Sequence, residues 1–104
     1  MSVKPVTPEE AARLVDDGAL LVDIREPEEC ALVIAGAQLA PLSGGARGVA
    51  ARPGQPVIFH CRSGARTRMN ARALAGAVET DEVYLLEGGI DGWQAAGLPV
   101  QRRL

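Results

Sequence analysis

Three short apolar runs constrain this chain more than anything else in it: ALLVDI (19–24), PVIFH (56–60) and EVYLLEGG (82–89). The first two read as strands buried on both faces, because neither shows the polar alternation of a strand with one wet side. The third is a strand that ends in a glycine pair. Helical patterns lie between the runs, and no hairpin turn joins any two of them. Strands that alternate with helices pair in parallel, and a parallel sheet needs cover on both faces. The predicted fold class is therefore α/β, a three-layer domain with a central parallel sheet and helices on either side.

Local signals fill in the remainder. TPEE (7–10) is a helix start, with Thr7 as cap, Pro8 at the first helical position and Glu10 closing a capping box; Gly18 is placed to end that helix. REPEEC (25–30) opens a polar turn or short helix, AQLAPL (37–42) is a further candidate strand, and SGGARGVAARPGQP (43–56) is a connection. MNARALAGA (69–77) reads as a helix, and IDGWQAAGLPV (90–100) as a last short helix closed by Gly97 and Pro99. With 104 residues the chain has room for one core, so residues 1–104 are expected to form a single domain. Phe59, Tyr84 and Trp93 are its only aromatics. Small aliphatic side chains must fill most of the interior.

No run approaches the ~18 consecutive apolar residues needed to span a bilayer, and MSVKPVTPEE lacks the apolar stretch of a secretory signal. Two cysteines without such a signal point to a reducing compartment. The expected setting is cytoplasmic. The net charge of −2 hides a strong segregation. Between Ala31 and Val78 there is no acidic residue but six arginines, while the remainder carries −8. Nucleic acid is not the expected partner, since the overall balance is acidic and aromatics are scarce. A small anion suits a local concentration of arginine better.

HCRSGARTR (60–68) sits inside that basic stretch, between a strand end and a helix start. In a parallel sheet, ligands collect at the carboxyl ends of strands, which is where Cys61 falls. Amide groups at a helix start and nearby guanidinium groups both favour a thiolate. Gly64 and the small Ala65 allow the backbone to bend around the sulfur as a nest of N–H donors. The loop thus offers a nucleophile and an anion cradle. Arg62, Ser63, Gly64 and Ala65 separate Cys61 from Arg66, four residues where the signature of cysteine phosphatases has five. A tighter ring suits a single extra sulfur atom on Cys61.

CRSGART (61–67) resembles the active-site loop of the rhodanese family of sulfurtransferases. LLVDIREPEE (20–29) and VYLLEGGIDGWQAAGLPV (83–100) resemble flanking segments of that family, in the right order. The resemblance implies the rhodanese fold, with a central parallel sheet of about five strands. It also implies a two-step reaction. Cys61 attacks the outer sulfur of thiosulfate or a low-molecular-weight persulfide, and a thiophilic acceptor such as cyanide or a thiol then removes that sulfur from the Cys61 persulfide. Arg62 and Arg66 would orient the anionic donor, Arg66 would also shape the loop, Ser63 would donate to the persulfide or the leaving sulfite, and Thr67 would brace the helix start. No metal and no cofactor are implied. The expected partners are the small donor and its thiol or cyanide acceptor, with a protein acceptor as an extension. No membrane contact is expected of this segment itself, although LAPLS (39–43) and the tail resemble bacterial rhodaneses that continue into a membrane hairpin. The alternative is a sulfur-carrier or protein-interaction module with little turnover of free donors; a phosphatase or arsenate reductase is disfavoured by the spacing.

Asp23 and Arg25 match the family's DxR pattern. They either support the loop, with Asp23 holding its amides or Arg66, or form a local salt bridge; the latter is the preferred reading. His60 is expected to be structural, because a residue preceding the nucleophile on a strand faces the other way. Cys30 is expected to be a buried spectator rather than a resolving thiol. Trp93 either packs the last helix or walls the entrance, and Arg68 and Arg72 lie four apart on one predicted helix face. CALVIAGA (30–37) departs from the family, with Val33 and Ala35 replacing a basic residue and a proline. That departure bears on donor or acceptor preference.

Overall fold

The structure, a computed structural model, describes residues 3–103. In chain order the elements are β1 (Val3–Val6), α1 (Pro8–Asp16), β2 (Leu20–Asp23), β3 (Leu32–Val33), β4 (Gln38–Leu39), β5 (Val57–His60), α2 (Ala65–Met69), α3 (Ala71–Gly76), β6 (Val83–Leu86), α4 (Gly89–Ala95) and β7 (Gln101–Arg102). Single 3₁₀ turns occupy Pro27–Glu29 and Leu42–Gly44.

Five strands form one sheet in the order β1-β6-β5-β2-β4, and every pairing in it is parallel. The three strands read from the sequence form its centre. Their side chains alternate between two cores, as a pleated strand requires. Val22, Val57, Phe59, Val83 and Leu85 pack with Leu74 and Ala75 of α3 on one face. Leu21, Ile58 and Leu86 pack with Ala11 of α1 and with Ile90 and Trp93 of α4 on the other. Helices on both faces of a parallel sheet make the three-layer α/β architecture expected. Trp93 is a packing residue, 5% exposed, with its indole N–H donating to the Pro99 carbonyl at 2.9 Å.

The capping box forms as read: the Glu10 amide donates to Thr7 Oγ1 at 3.1 Å and the Thr7 amide to Glu10 Oε1 at 2.9 Å. Three features differ from the sequence reading. Val3–Val6 is an additional edge strand, and β3 pairs antiparallel with β7 in a small separate ribbon that folds the tail onto Leu32–Val33. The helix expected after the loop starts earlier and breaks at Asn70 (φ −117°, ψ 19°), where its side-chain amide donates to the Arg66 carbonyl at 2.8 Å. Arg68 and Arg72 therefore lie on two short helices, not one face. Among the described residues no helix is long and apolar enough to cross a membrane.

Candidate active site

Parallel pairing brings three strand ends to one edge of the sheet. Asp23 ends β2, His60 ends β5 in register with it, and Leu86 ends β6. Cys61 follows His60 directly, and its side chain is fully buried. Gly64 then turns the chain into α2 with φ +96°, a conformation that suits glycine, and its amide donates to the Cys61 sulfur at 3.1 Å. Burial opposes charge on that sulfur. The amides of Thr67, Gly64 and Arg66 outweigh the burial and hold the thiol below its ordinary value. Because α2 is only five residues long, these direct N–H donors, rather than a helix dipole, carry the effect.

The loop's carbonyls are engaged from outside. Cys61 O accepts from the Ile90 amide at 3.0 Å and lies 3.0 Å from His60 Nδ1; Arg62 O accepts from the Asp91 amide at 3.0 Å. The Thr67 hydroxyl donates to Gly64 O at 3.0 Å, across the start of α2. The first turn of α4 thus fastens the sulfur loop, and Gly89, with φ +58°, permits the approach. A methyl there would overlap the Cys61 carbonyl oxygen and stand 2.5 Å from the Arg62 carbonyl carbon and oxygen. The sequence reading singled out the glycine pair without assigning it this role.

The loop's arginines are paired within the protein. The Arg66 guanidinium forms a bidentate pair with Glu29 at 2.6 and 2.8 Å. That hydrogen bonding lowers the Glu29 carboxyl to about 2. Arg62 is exposed and stands 3.8 Å from Asp91. Asp23 holds neither the loop amides nor Arg66; it binds the Arg25 side chain at 2.8–3.2 Å, and the Arg25 amide as well. Arg25 also donates to the carbonyls of Glu29 and Leu32 at 3.2 and 2.8 Å, bracing the segment that carries Glu29. The DxR residues are thus a buried local brace, for a simple reason: two residues apart, the side chains meet before either can span the site. Burial opposes charge on Asp23, but Arg25 more than compensates and keeps its carboxyl low.

Ser63 is exposed, and its hydroxyl oxygen accepts only a long 3.5 Å contact from the half-exposed Ala65. His60 is fully buried on the face opposite Cys61, and burial lowers its basicity despite Asp23 at 3.7 Å. Cys30 is buried as well, and desolvation raises its thiol. Beside the loop lies a cavity of about 330 Å³ lined by Arg25, Glu29, Ala31, Leu32, Arg62, Ile90, Asp91 and Gln94. Ala31 and Leu32, from the segment that departs from the family pattern, form part of its wall; the replaced positions Val33 and Ala35 are not among its lining residues. The residue missed from sequence was Glu29, one acid in a polar run.

A family model described as Rhodanese-like domain matches residues 7–96. The thiosulfate sulfurtransferase GlpE of Actinobacillus succinogenes is 36% identical over 104 residues, covering 97% of this chain and 93% of that protein. The GlpE of Actinobacillus pleuropneumoniae is 43% identical over 49 residues, a match spanning 45% of this chain and 43% of that protein. Among solved structures, a rhodanese-related protein from Thermoplasma volcanium superposes with a TM-score of 0.79 at 21% identity, covering 94% of this chain and 97% of that one.

Proposed function

Since the chain belongs to the rhodanese-like family, we propose that residues 1–104 act as one sulfurtransferase domain cycling through a persulfide on Cys61. The Cys61 thiolate attacks the outer sulfur of thiosulfate, or of a low-molecular-weight persulfide. One sulfur–sulfur bond forms as the donor's breaks, and the electron pair leaves with sulfite or with the donor thiolate. A thiophilic acceptor, cyanide or a thiol, then takes the outer sulfur and restores the Cys61 thiolate. No cofactor enters this cycle.

The observation that carries the reading is the Cys61 sulfur itself: buried, receiving the Gly64 amide at 3.1 Å, and held toward the thiolate by neighbouring amides. The same donors serve the persulfide anion, which needs stabilisation without water. Gly64 and Ala65 keep the ring small enough for one added sulfur. Thr67 braces it, and Asp23 with Arg25 supports the wall. In this reading a donor passes Arg62, which lines the cavity beside the loop, with Ser63 and Arg66 following it in the same loop.

Intact-protein mass after thiosulfate treatment, then after cyanide, tests the cycle beside Cys61→Ser. One added sulfur removed by cyanide and absent from the variant is the expected result. A fully reduced protein that gains no sulfur from thiosulfate or from a persulfide donor would exclude it. Turnover with free donors separates the enzyme from a sulfur-carrier module, which loads once and releases only to a protein.

A further inference from the structure

The mouth of the site is nearly neutral even though the stretch that forms the loop is strongly basic. Arg66 is held by Glu29 through two hydrogen bonds, and Arg62 faces Asp91 at 3.8 Å. Glu29 is itself fixed, because its Oε1 also accepts from the Glu26 amide at 3.0 Å across the 3₁₀ turn. Its carboxyl, lowered to about 2 mainly by Arg66, stays ionised at any neutral pH. The Arg66 amide is one of those that hold the Cys61 sulfur, so Glu29 is tied through the Arg66 side chain to the sulfur loop itself. Glu29 and Asp91 both line the cavity beside the loop.

A doubly charged donor approaching a thiolate there meets two carboxylates as well as two arginines. We propose that Glu29 is a specificity-determining residue, biasing sulfur loading away from dianionic donors and toward singly charged or zwitterionic ones. The proposal rests on the Cys61 persulfide cycle and assigns its donor preference. Electrostatic energy scales with ligand charge, so a carboxylate that slows a monoanion by one factor slows a dianion by about its square.

The test compares two donors of one sulfane sulfur, thiosulfate (dianion, releasing sulfite) and methanethiosulfonate (monoanion, releasing methanesulfinate). Loading of Cys61 is followed by stopped-time mass spectrometry. Glu29→Gln keeps an acceptor for the Glu26 amide and removes the charge. It is expected to raise the loading rate constant by on the order of two- to threefold for methanethiosulfonate and about fourfold to ninefold for thiosulfate. Asp91→Asn, at a looser and more exposed pair, is expected to give a smaller gain in the same donor order. Equal effects on the two donors, or a loss confined to thiosulfate, would overturn the proposal. A wild-type protein that loads from neither donor would overturn the persulfide cycle itself, a separate and recognisable result.

Discussion

Gly89→Ala is the sharpest probe of how the sulfur loop is held. The added methyl would overlap the Cys61 carbonyl oxygen and come 2.5 Å from the Arg62 carbonyl. Both obstacles are backbone, so no side-chain rotation relieves them; α4 or the loop must move. The residue also carries φ +58°, where an alanine costs ~1–2 kcal/mol. Separation would weaken the Ile90 and Asp91 amide bonds to the loop, each contributing about 1 kcal/mol. The expected loss is roughly 3–4 kcal/mol, which in a domain of this size lowers Tm by more than about 12 °C. Gly97→Ala is the internal control. Its φ is +79°, but a methyl there meets nothing within 4 Å, so it should show the backbone cost alone. Thermal unfolding gives the stabilities, and Cys61 alkylation against pH gives the thiol's state. In Gly89→Ala the displaced loop should also raise the Cys61 midpoint, which Gly97→Ala should leave in place. If the two variants match in both measurements, α4 does not anchor the loop.

Thr67→Val removes the hydroxyl that donates to Gly64 O, so the Gly64 amide should lose aim and the Cys61 midpoint should rise; alkylation rate against pH reads this directly. Because the Cys61 thiol is lowered in the native protein, sulfur loading should fall only as pH drops through that lowered value, and the variant should lose rate at a higher pH. Asp23→Asn leaves Arg25 charged and 4% exposed, which should cost about 3–5 kcal/mol in chemical denaturation while the folded fraction still loads sulfur. For Glu29 the native carboxyl lies below its ordinary value, so the Arg66 pair stabilises above the usual glutamate range. That stability is lost as pH falls toward about 2. Solvent screening limits it to about 1 kcal/mol, and the gap between wild type and Glu29→Gln in acid unfolding should close over that window. Cys30→Ala should leave sulfur loading unchanged, as a buried spectator requires; its loss would revive a resolving role.

The central strands were legible because burial on both faces leaves a continuous apolar run, and the capping box because its partners are three residues apart. Val3–Val6 was not, since Lys4 and Pro5 give it no apolar run. Its place at the sheet edge, paired only with β6, is what tolerates a proline. The helix break at Asn70 comes with that side chain reaching the Arg66 carbonyl, a side-chain-to-backbone bond that the apolar pattern does not encode. The sulfur loop was legible in outline from a cysteine, a glycine and arginines at fixed spacing. The direction of those arginines was not. Glu29 lies 37 residues before Arg66, and in a run of acids nothing local distinguishes it from a solvated one. The charge segregation was the available signal: an acid-free arginine segment needs countercharge from elsewhere in the chain.

The same long-range logic explains why CRSGART and EGGIDG must occur together. A nest that stabilises a sulfur anion needs its N–H groups turned inward, which turns its carbonyls outward, and buried carbonyls need donors of their own. Cys61 O is met by Ile90 N and by His60, Arg62 O by Asp91 N, and Gly64 O by the Thr67 hydroxyl. The first turn of a helix carries amides without internal partners, so α4 supplies donors that would otherwise face water. A helix start can reach that close only if its leading residue has no side chain, which is the condition Gly89 meets. The amides of α4 thus stabilise the anion without touching it: they occupy the loop's carbonyls and leave its N–H groups to the sulfur.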